Sequence, residues 1–116
     1  IWIDENQIEQ VLMNIALNAA EAMKNHGTLS LISGLNERGD YVEVRITDTG
    51  TGIPRENLNK IFDPFFTTKN PQEGTGLGLS VSYGIIQKHH GDIIVESEVD
   101  KGTRFIIKLP VEKKGD

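Results

Sequence analysis

From Val42 to Thr47 apolar and polar side chains alternate, and with Tyr41 and Asp48 at its ends this run reads as a half-buried β-strand over Tyr41 to Asp48. A strand of this kind needs a partner strand beside it and an apolar cover on one face. Leu29 to Ser33 supplies the partner, with Asn36-Glu37-Arg38-Gly39-Asp40 as the turn between them. The cover is a helix. Ile8, Val11, Leu12, Ile15, Ala19, Ala22 and Met23 recur at the helical period and make one apolar stripe. Asp4 can cap this helix with Gln7 completing a capping box, Ile3 and Ile8 stand at the staple positions, and Gly27 marks its end.

The second half repeats the logic. Gly74-Thr75-Gly76-Leu77-Gly78 leads into another helix, on which Leu79, Tyr83, Ile86 and His90 share a face extended by Val81 and Ile85, with Gly91 as its C-terminal cap. Ile93 to Val95 and Arg104 to Leu109 read as strands around an Asp100-Lys101-Gly102 hairpin turn. Between the halves, Pro54 suits the first position of a short helix over Arg55 to Ile61, which Asp63-Pro64 breaks. Thr67 to Glu73 is polar and aperiodic and reads as a mobile loop. Lys113 to Asp116 reads as a frayed end. These elements predict an α+β fold: a two-layer α/β sandwich whose mixed, mostly antiparallel sheet is covered on one face by helices.

Composition narrows the function classes. The 116 residues suffice for one domain, 1–116, and the chain opens at Ile1 with no initiator Met or signal peptide, as expected of a piece of a longer protein. The absence of cysteine excludes disulfides, a cysteine nucleophile and thiolate metal sites. A net charge of −5 argues against a nucleic-acid partner, and no apolar run is long enough for a membrane span. His26, His89 and His90 have no metal-ligand spacing with acids, and His90 reads as a core-edge residue.

Several polar residues stand where chemistry would need them. Asn14 and Asn18, four residues apart, lie one turn above each other at the edge of the first helix's stripe, with Glu21 close by. Amide oxygens at such an edge are either a solvated flank or ligands for a hard cation such as Mg²⁺. Asp48 has the parity of Val42, Val44 and Ile46, so its carboxylate points inward and requires a donor. That donor is either the backbone of the Thr49-Gly50 turn or a ligand group such as the exocyclic amine of adenine. Gly50 and Gly52 let backbone pass close to a flat ligand or simply turn the chain. Gly74, Gly76 and Gly78 feed a helix start, where free N–H groups and the dipole favour a phosphate. Thr103 shares parity with Phe105, Ile107 and Leu109 and points inward, either to support Asp48 through a water or as a satisfied core threonine. Phe62, Phe65 and Phe66 bracket Asp63-Pro64 and either anchor the following loop to the core or let it hinge over a ligand, and Lys69 in that loop is either solvated or within reach of a phosphate.

In order, these segments resemble the ATP-binding catalytic domain of sensor histidine kinases, in the Bergerat-type superfamily shared with gyrase, MutL and heat-shock chaperone ATPases. Gln10 to Ala22 resembles the N box, Asp48 to Pro54 the G1 box, Phe62 to Phe66 the F box and Gly74 to Leu79 the G2 box, and Gly102 to Phe105 matches the closing strand motif. The likeness runs from about Ile3 to Pro110. It implies that Asn18 coordinates Mg²⁺, with Asn14 nearby on phosphates or metal. It implies that Asp48 accepts from the adenine amine, that Gly50, Gly52 and Ile53 wall the base, and that Ala22 packs against it. Thr67 to Glu73 would be the ATP lid, and Gly76, Leu77 and Gly78 would contact phosphates, within a nucleotide site that also takes in Phe66, Thr67, Lys69, Gly74, Thr75, Leu79 and Thr103.

Hydrolysing relatives carry a glutamate base four residues before the metal asparagine, and here that place is Asn14. The expected activity is therefore that of a kinase that binds Mg·ATP and passes the γ-phosphate to a histidine on a separate dimerisation domain, for relay to a response regulator. Many members carry Lys or Arg three residues after the metal asparagine. Glu21 stands there instead, leaving Lys69 or Lys24 to supply the charge. ATP places the domain in the cytoplasm, without direct membrane contact, in a parent that can itself be membrane-anchored. The alternatives are an anti-sigma-type serine kinase or ATP-hydrolysing relative on the same fold, a non-catalytic nucleotide-sensing module, and a purely structural domain whose glycine loops are turns.

Overall fold

A computed structural model of the chain describes residues 5–24, 26–63 and 78–111. In chain order it contains helix α1 (Glu5–Met23), strands β1 (Leu29–Leu35) and β2 (Tyr41–Asp48), one 3₁₀ turn (Arg55–Asn57), helix α2 (Gly78–Lys88), and strands β3 (Asp92–Glu98) and β4 (Gly102–Pro110). The four strands form one sheet in the order β1-β2-β4-β3, and all three pairings are antiparallel. The chain leaves the sheet after β2 and re-enters at the far edge, so β4 closes the gap between β2 and β3. This is the α+β architecture expected, with helices on one face.

Register explains the core. Ile46 faces Phe105 and Val44 faces Ile107 across β2 and β4, while Ile93 faces Ile107 on the other side. Val11 and Ile15 of α1 and Ile85 and Ile86 of α2 pack onto this row, and all of these except the half-buried Val44 are buried. Burial of such side chains stabilises by about 1.5–3 kcal/mol each, so this row supplies most of the drive to fold. The helices leave β1 uncovered: all seven of its residues are exposed, and so are Met13 and Leu17 on the outer side of α1.

Four local expectations need correction. Helix α1 stops at Met23 rather than at Gly27, because Lys24 turns left-handed (φ 51°) while its N–H still reaches the Ala20 carbonyl at 3.1 Å. The helix over Arg55 to Ile61 shrinks to one 3₁₀ turn. Pro54 precedes it with an extended ψ of 144° instead of occupying its first position. The buried face of α2 is Ser82, Ile85 and Ile86, with Leu79 and His89 half-buried, whereas Tyr83 and His90 are exposed. That face is rotated roughly a quarter turn from the expected stripe, and the rotation sets the small hydroxyl of Ser82 toward α1. Finally, His90, not Gly91, is the left-handed residue after α2 (φ 65°). Gly91 follows it and donates to the Ile86 carbonyl at 2.9 Å, while His90 donates to Gln87 at 3.0 Å, the paired bonds of a Schellman motif. The Asp4 cap and the Ile3 staple lie outside the described residues.

Candidate functional site

The last turn of α1 and the loop after β2 meet edge to edge. Gly50 lies so close to Ala22 that a side chain there would clash with the helix backbone, and Thr51 N–H donates to the Ala22 carbonyl at 3.3 Å. Thr49 secures the same junction: its hydroxyl oxygen accepts from Thr28 N–H at 2.9 Å. Gly52 then takes a left-handed turn (φ 78°) against the Glu98 carbonyl, a conformation and a proximity that only glycine tolerates. Asp100 N–H donates to the Thr51 carbonyl at 2.8 Å. The loop 49–53 is thus clamped between α1 and the β3–β4 hairpin.

Asp48 stands at the end of β2 directly opposite Thr103 on β4. Both point inward, at 5% and 6% exposure. Asp48 Oδ1 accepts from Gly50 N–H at 2.8 Å, so the carboxylate does cap the turn that follows it. The cap occupies one carboxylate oxygen, and a carboxylate has lone pairs on two. The two readings of Asp48 are therefore compatible. Thr103 is bonded to Ser97 Oγ at 2.9 Å. Ser97 also accepts from Ile53 N–H at 2.7 Å and so ties the loop to the sheet.

Asn14 and Asn18 are half-buried on the α1 flank that faces α2, and Glu21 is exposed. Asn14 Nδ2 donates to Ser82 Oγ at 3.3 Å, which brings the first turns of α2 against this flank. Asn18 lies one turn before Ala22, about 6 Å along the axis from the residue that touches the glycine loop. Gly78 opens α2 and Leu79 packs half-buried against the core. Phe66, Thr67, Lys69, Gly74, Thr75, Gly76 and Leu77, with the lid between Thr67 and Glu73, lie outside the described residues. Lys24, the other cation considered, is exposed just past α1.

The structure thus brings Ala22, Asp48, Gly50, Gly52, Ile53 and Thr103 into one contact set, and carries Asn14 and Asn18 on the helix that adjoins it. Sequence reasoning missed Ser82 and Ser97. Neither breaks a periodic pattern, so only the tertiary contacts mark them. Among the described residues no cluster of three or more His, Asp or Glu side chains has the geometry of a metal site. A cation here would take its oxygen ligands from asparagine amides and from a bound anion, a donor set that suits Mg²⁺. A separate open cleft of about 590 Å³ between Tyr41, Gln87, His90 and Lys108 lies at the opposite end of the strands.

The chain is similar to known proteins over nearly its whole length. Residues 3–113 match the family model described as histidine kinase-, DNA gyrase B- and HSP90-like ATPase. Sensor kinase CckA of Brucella abortus is 47% identical over 129 residues, covering 97% of this chain and 14% of that protein. The chain therefore spans about a seventh of that relative. Among solved structures, the catalytic domain of histidine kinase ThkA superposes with a TM-score of 0.80 at 39% identity, covering 93% of this chain and 69% of that one. Full-length ShkA in complex with AMPPNP superposes with a TM-score of 0.80 at 28% identity, covering 92% of this chain and 22% of that one.

Proposed function

The chain belongs to the histidine kinase-, DNA gyrase B- and HSP90-like ATPase family, and from that premise we propose that it is the ATP-binding catalytic domain of a sensor histidine kinase. It would hold Mg·ATP and donate the γ-phosphate to a histidine on a separate dimerisation domain of a longer protein, for relay to a response regulator. The observation that carries this reading is the buried acid at the end of β2, set beside a glycine loop clamped against α1. The AMPPNP complex of the similar ShkA supports a nucleotide there.

Each residue then has a role. Asp48 accepts from the adenine amine with the oxygen lone pairs that the Gly50 cap leaves over. Gly50, Gly52 and Ile53 form one wall of the base site and Ala22 another. Gly76, Leu77 and Gly78 offer N–H groups to the phosphates. Asn18, with Asn14 beside it, holds Mg²⁺ through amide oxygen. The ion, when bound, neutralises phosphate charge. Asn14 occupies the place where a hydrolysing relative has a glutamate. A carboxamide cannot take a proton from water at neutral pH, so the site positions ATP for transfer rather than for hydrolysis. The domain would work on the cytoplasmic side, where ATP is. Among the described residues, no helix is long and apolar enough to cross a membrane.

The test combines calorimetry with radiolabelled ATP. The chain should bind Mg·ATP, transfer little alone, and label a histidine-bearing dimerisation domain supplied in trans or in cis. Steady turnover of ATP without that partner would instead mark a hydrolysing relative. A flat titration with magnesium nucleotide would overturn the reading altogether.

A further inference from the structure

Asp48, Thr103 and Ser97 stand in one row across three adjacent strands, β2, β4 and β3. Ser97 Oγ touches three polar groups: Ile53 N–H at 2.7 Å, the Gly102 carbonyl at 2.9 Å and the Thr103 hydroxyl at 2.9 Å. A serine hydroxyl has one proton and two lone pairs. Ile53 N–H can only donate, so it takes one lone pair. The Gly102 carbonyl can only accept, so it takes the proton. The remaining lone pair faces Thr103, whose hydroxyl must therefore be the donor. The reverse assignment, with Ser97 donating to Thr103, would leave the Ser97 oxygen 2.9 Å from the Gly102 oxygen with no proton between them, a repulsive contact.

The Thr103 proton is thereby committed to Ser97, and Thr103 Oγ1 offers only lone pairs elsewhere. Asp48, opposite, also offers only lone pairs, since a carboxylate has no proton to give. Both groups are more than nine-tenths buried. An acceptor facing an acceptor in a buried site is costly, whereas a donor there is bound. We propose that Ser97 is a positioning residue for base selection. By fixing the direction of the Thr103 proton, it makes this end of the site accept only, which admits the amine of adenine in direct contact and rejects the carbonyl oxygen of hypoxanthine there. The proposal rests on the nucleotide reading given above and deepens it.

The test compares ATP with ITP, which replaces the amine by a carbonyl, on the full chain with magnesium. The wild type should prefer ATP. In Ser97→Ala the Thr103 hydroxyl is free to turn and donate, so the ATP-to-ITP affinity ratio should fall about tenfold, the size of one hydrogen bond in a buried site. Ser97→Cys keeps the volume but is a poor acceptor, and should behave alike if the alanine variant does not fold. Ser97→Thr restores the hydroxyl and should restore the ratio. A purely structural Ser97 would weaken both nucleotides equally, and that result overturns the proposal. A wild type that binds ATP and ITP equally also overturns it while leaving the nucleotide site standing. A wild type that binds neither removes both.

Discussion

A methyl group on Gly50 would stand 2.8 Å from the carbonyl carbon, the carbonyl oxygen and the Cβ of Ala22. Gly50 does not have a left-handed backbone, so its requirement is space rather than torsion. Gly50→Ala must push the loop off the end of α1. Such overpacking costs about 1–3 kcal/mol. The expected result is a melting temperature several degrees lower and, with the displaced loop as the proposed wall of the base, weaker binding of adenine nucleotide. Gly34 in the exposed strand β1 is the control, since a Cβ there meets nothing within 4 Å. Gly34→Ala should leave both measurements unchanged or raise stability slightly.

Asp48→Asn separates the cap from the ligand role. The amide oxygen still accepts from Gly50 N–H, so the turn and the melting temperature should survive. The other atom becomes a donor facing where the adenine amine would lie. The expected loss is about 1–3 kcal/mol for ATP, with a smaller loss for ITP, read by calorimetry. Equal losses for the two nucleotides would confine Asp48 to its cap.

Much of this was legible in the sequence because it rests on period. The alternating run from Val42 to Thr47, with Tyr41 and Asp48 at its ends, marked out β2, and parity alone turned Asp48 and Thr103 inward. The stripe on α1 is buried or half-buried as its spacing required. Where periodicity has no purchase, the reading slipped. His90 fell on an apolar helical face by count, but the helix ends before it, and the left-handed position passes to a histidine that solvent can hold. Ser82 is wholly buried because α2 is turned toward Asn14. No local pattern distinguishes a serine that packs a helix pair from one on a surface. Ser97 is the same case: its three partners are spread over 51 residues of sequence, from Ile53 to Thr103.

His90 itself supplies a stability prediction. A non-glycine residue in the left-handed region carries about 1–2 kcal/mol of steric cost. No polar bond of its side chain is needed for the cap, which is made by backbone groups. His90→Gly should therefore raise the denaturant midpoint, by up to about 1 kcal/mol of unfolding free energy once the extra freedom of glycine in the unfolded chain is counted. Gly91→Ala should do the opposite, because its Cβ would run into the Lys108 carbonyl. Nucleotide affinity should be untouched by His90→Gly, since this end of the strands is remote from Asp48.

Asn14 and Asn18 share a helix flank yet should fail differently. Asn14 is tied to Ser82 across the two helices. Asn14→Ala should therefore lower the melting temperature as well as any nucleotide affinity, by about 1 kcal/mol for the lost hydrogen bond. Asn18 lies nearer the glycine loop, and its proposed work is to hold magnesium. Asn18→Ala removes an oxygen ligand that a hard cation requires. The affinity for Mg·ATP should fall about tenfold or more, while binding of ADP measured in a chelator should hold. Asn18→Asp, which keeps oxygen at that position, should retain more of the magnesium effect than alanine does. If titrations with and without magnesium shift by the same factor in Asn18→Ala, the side chain serves the fold and not the metal.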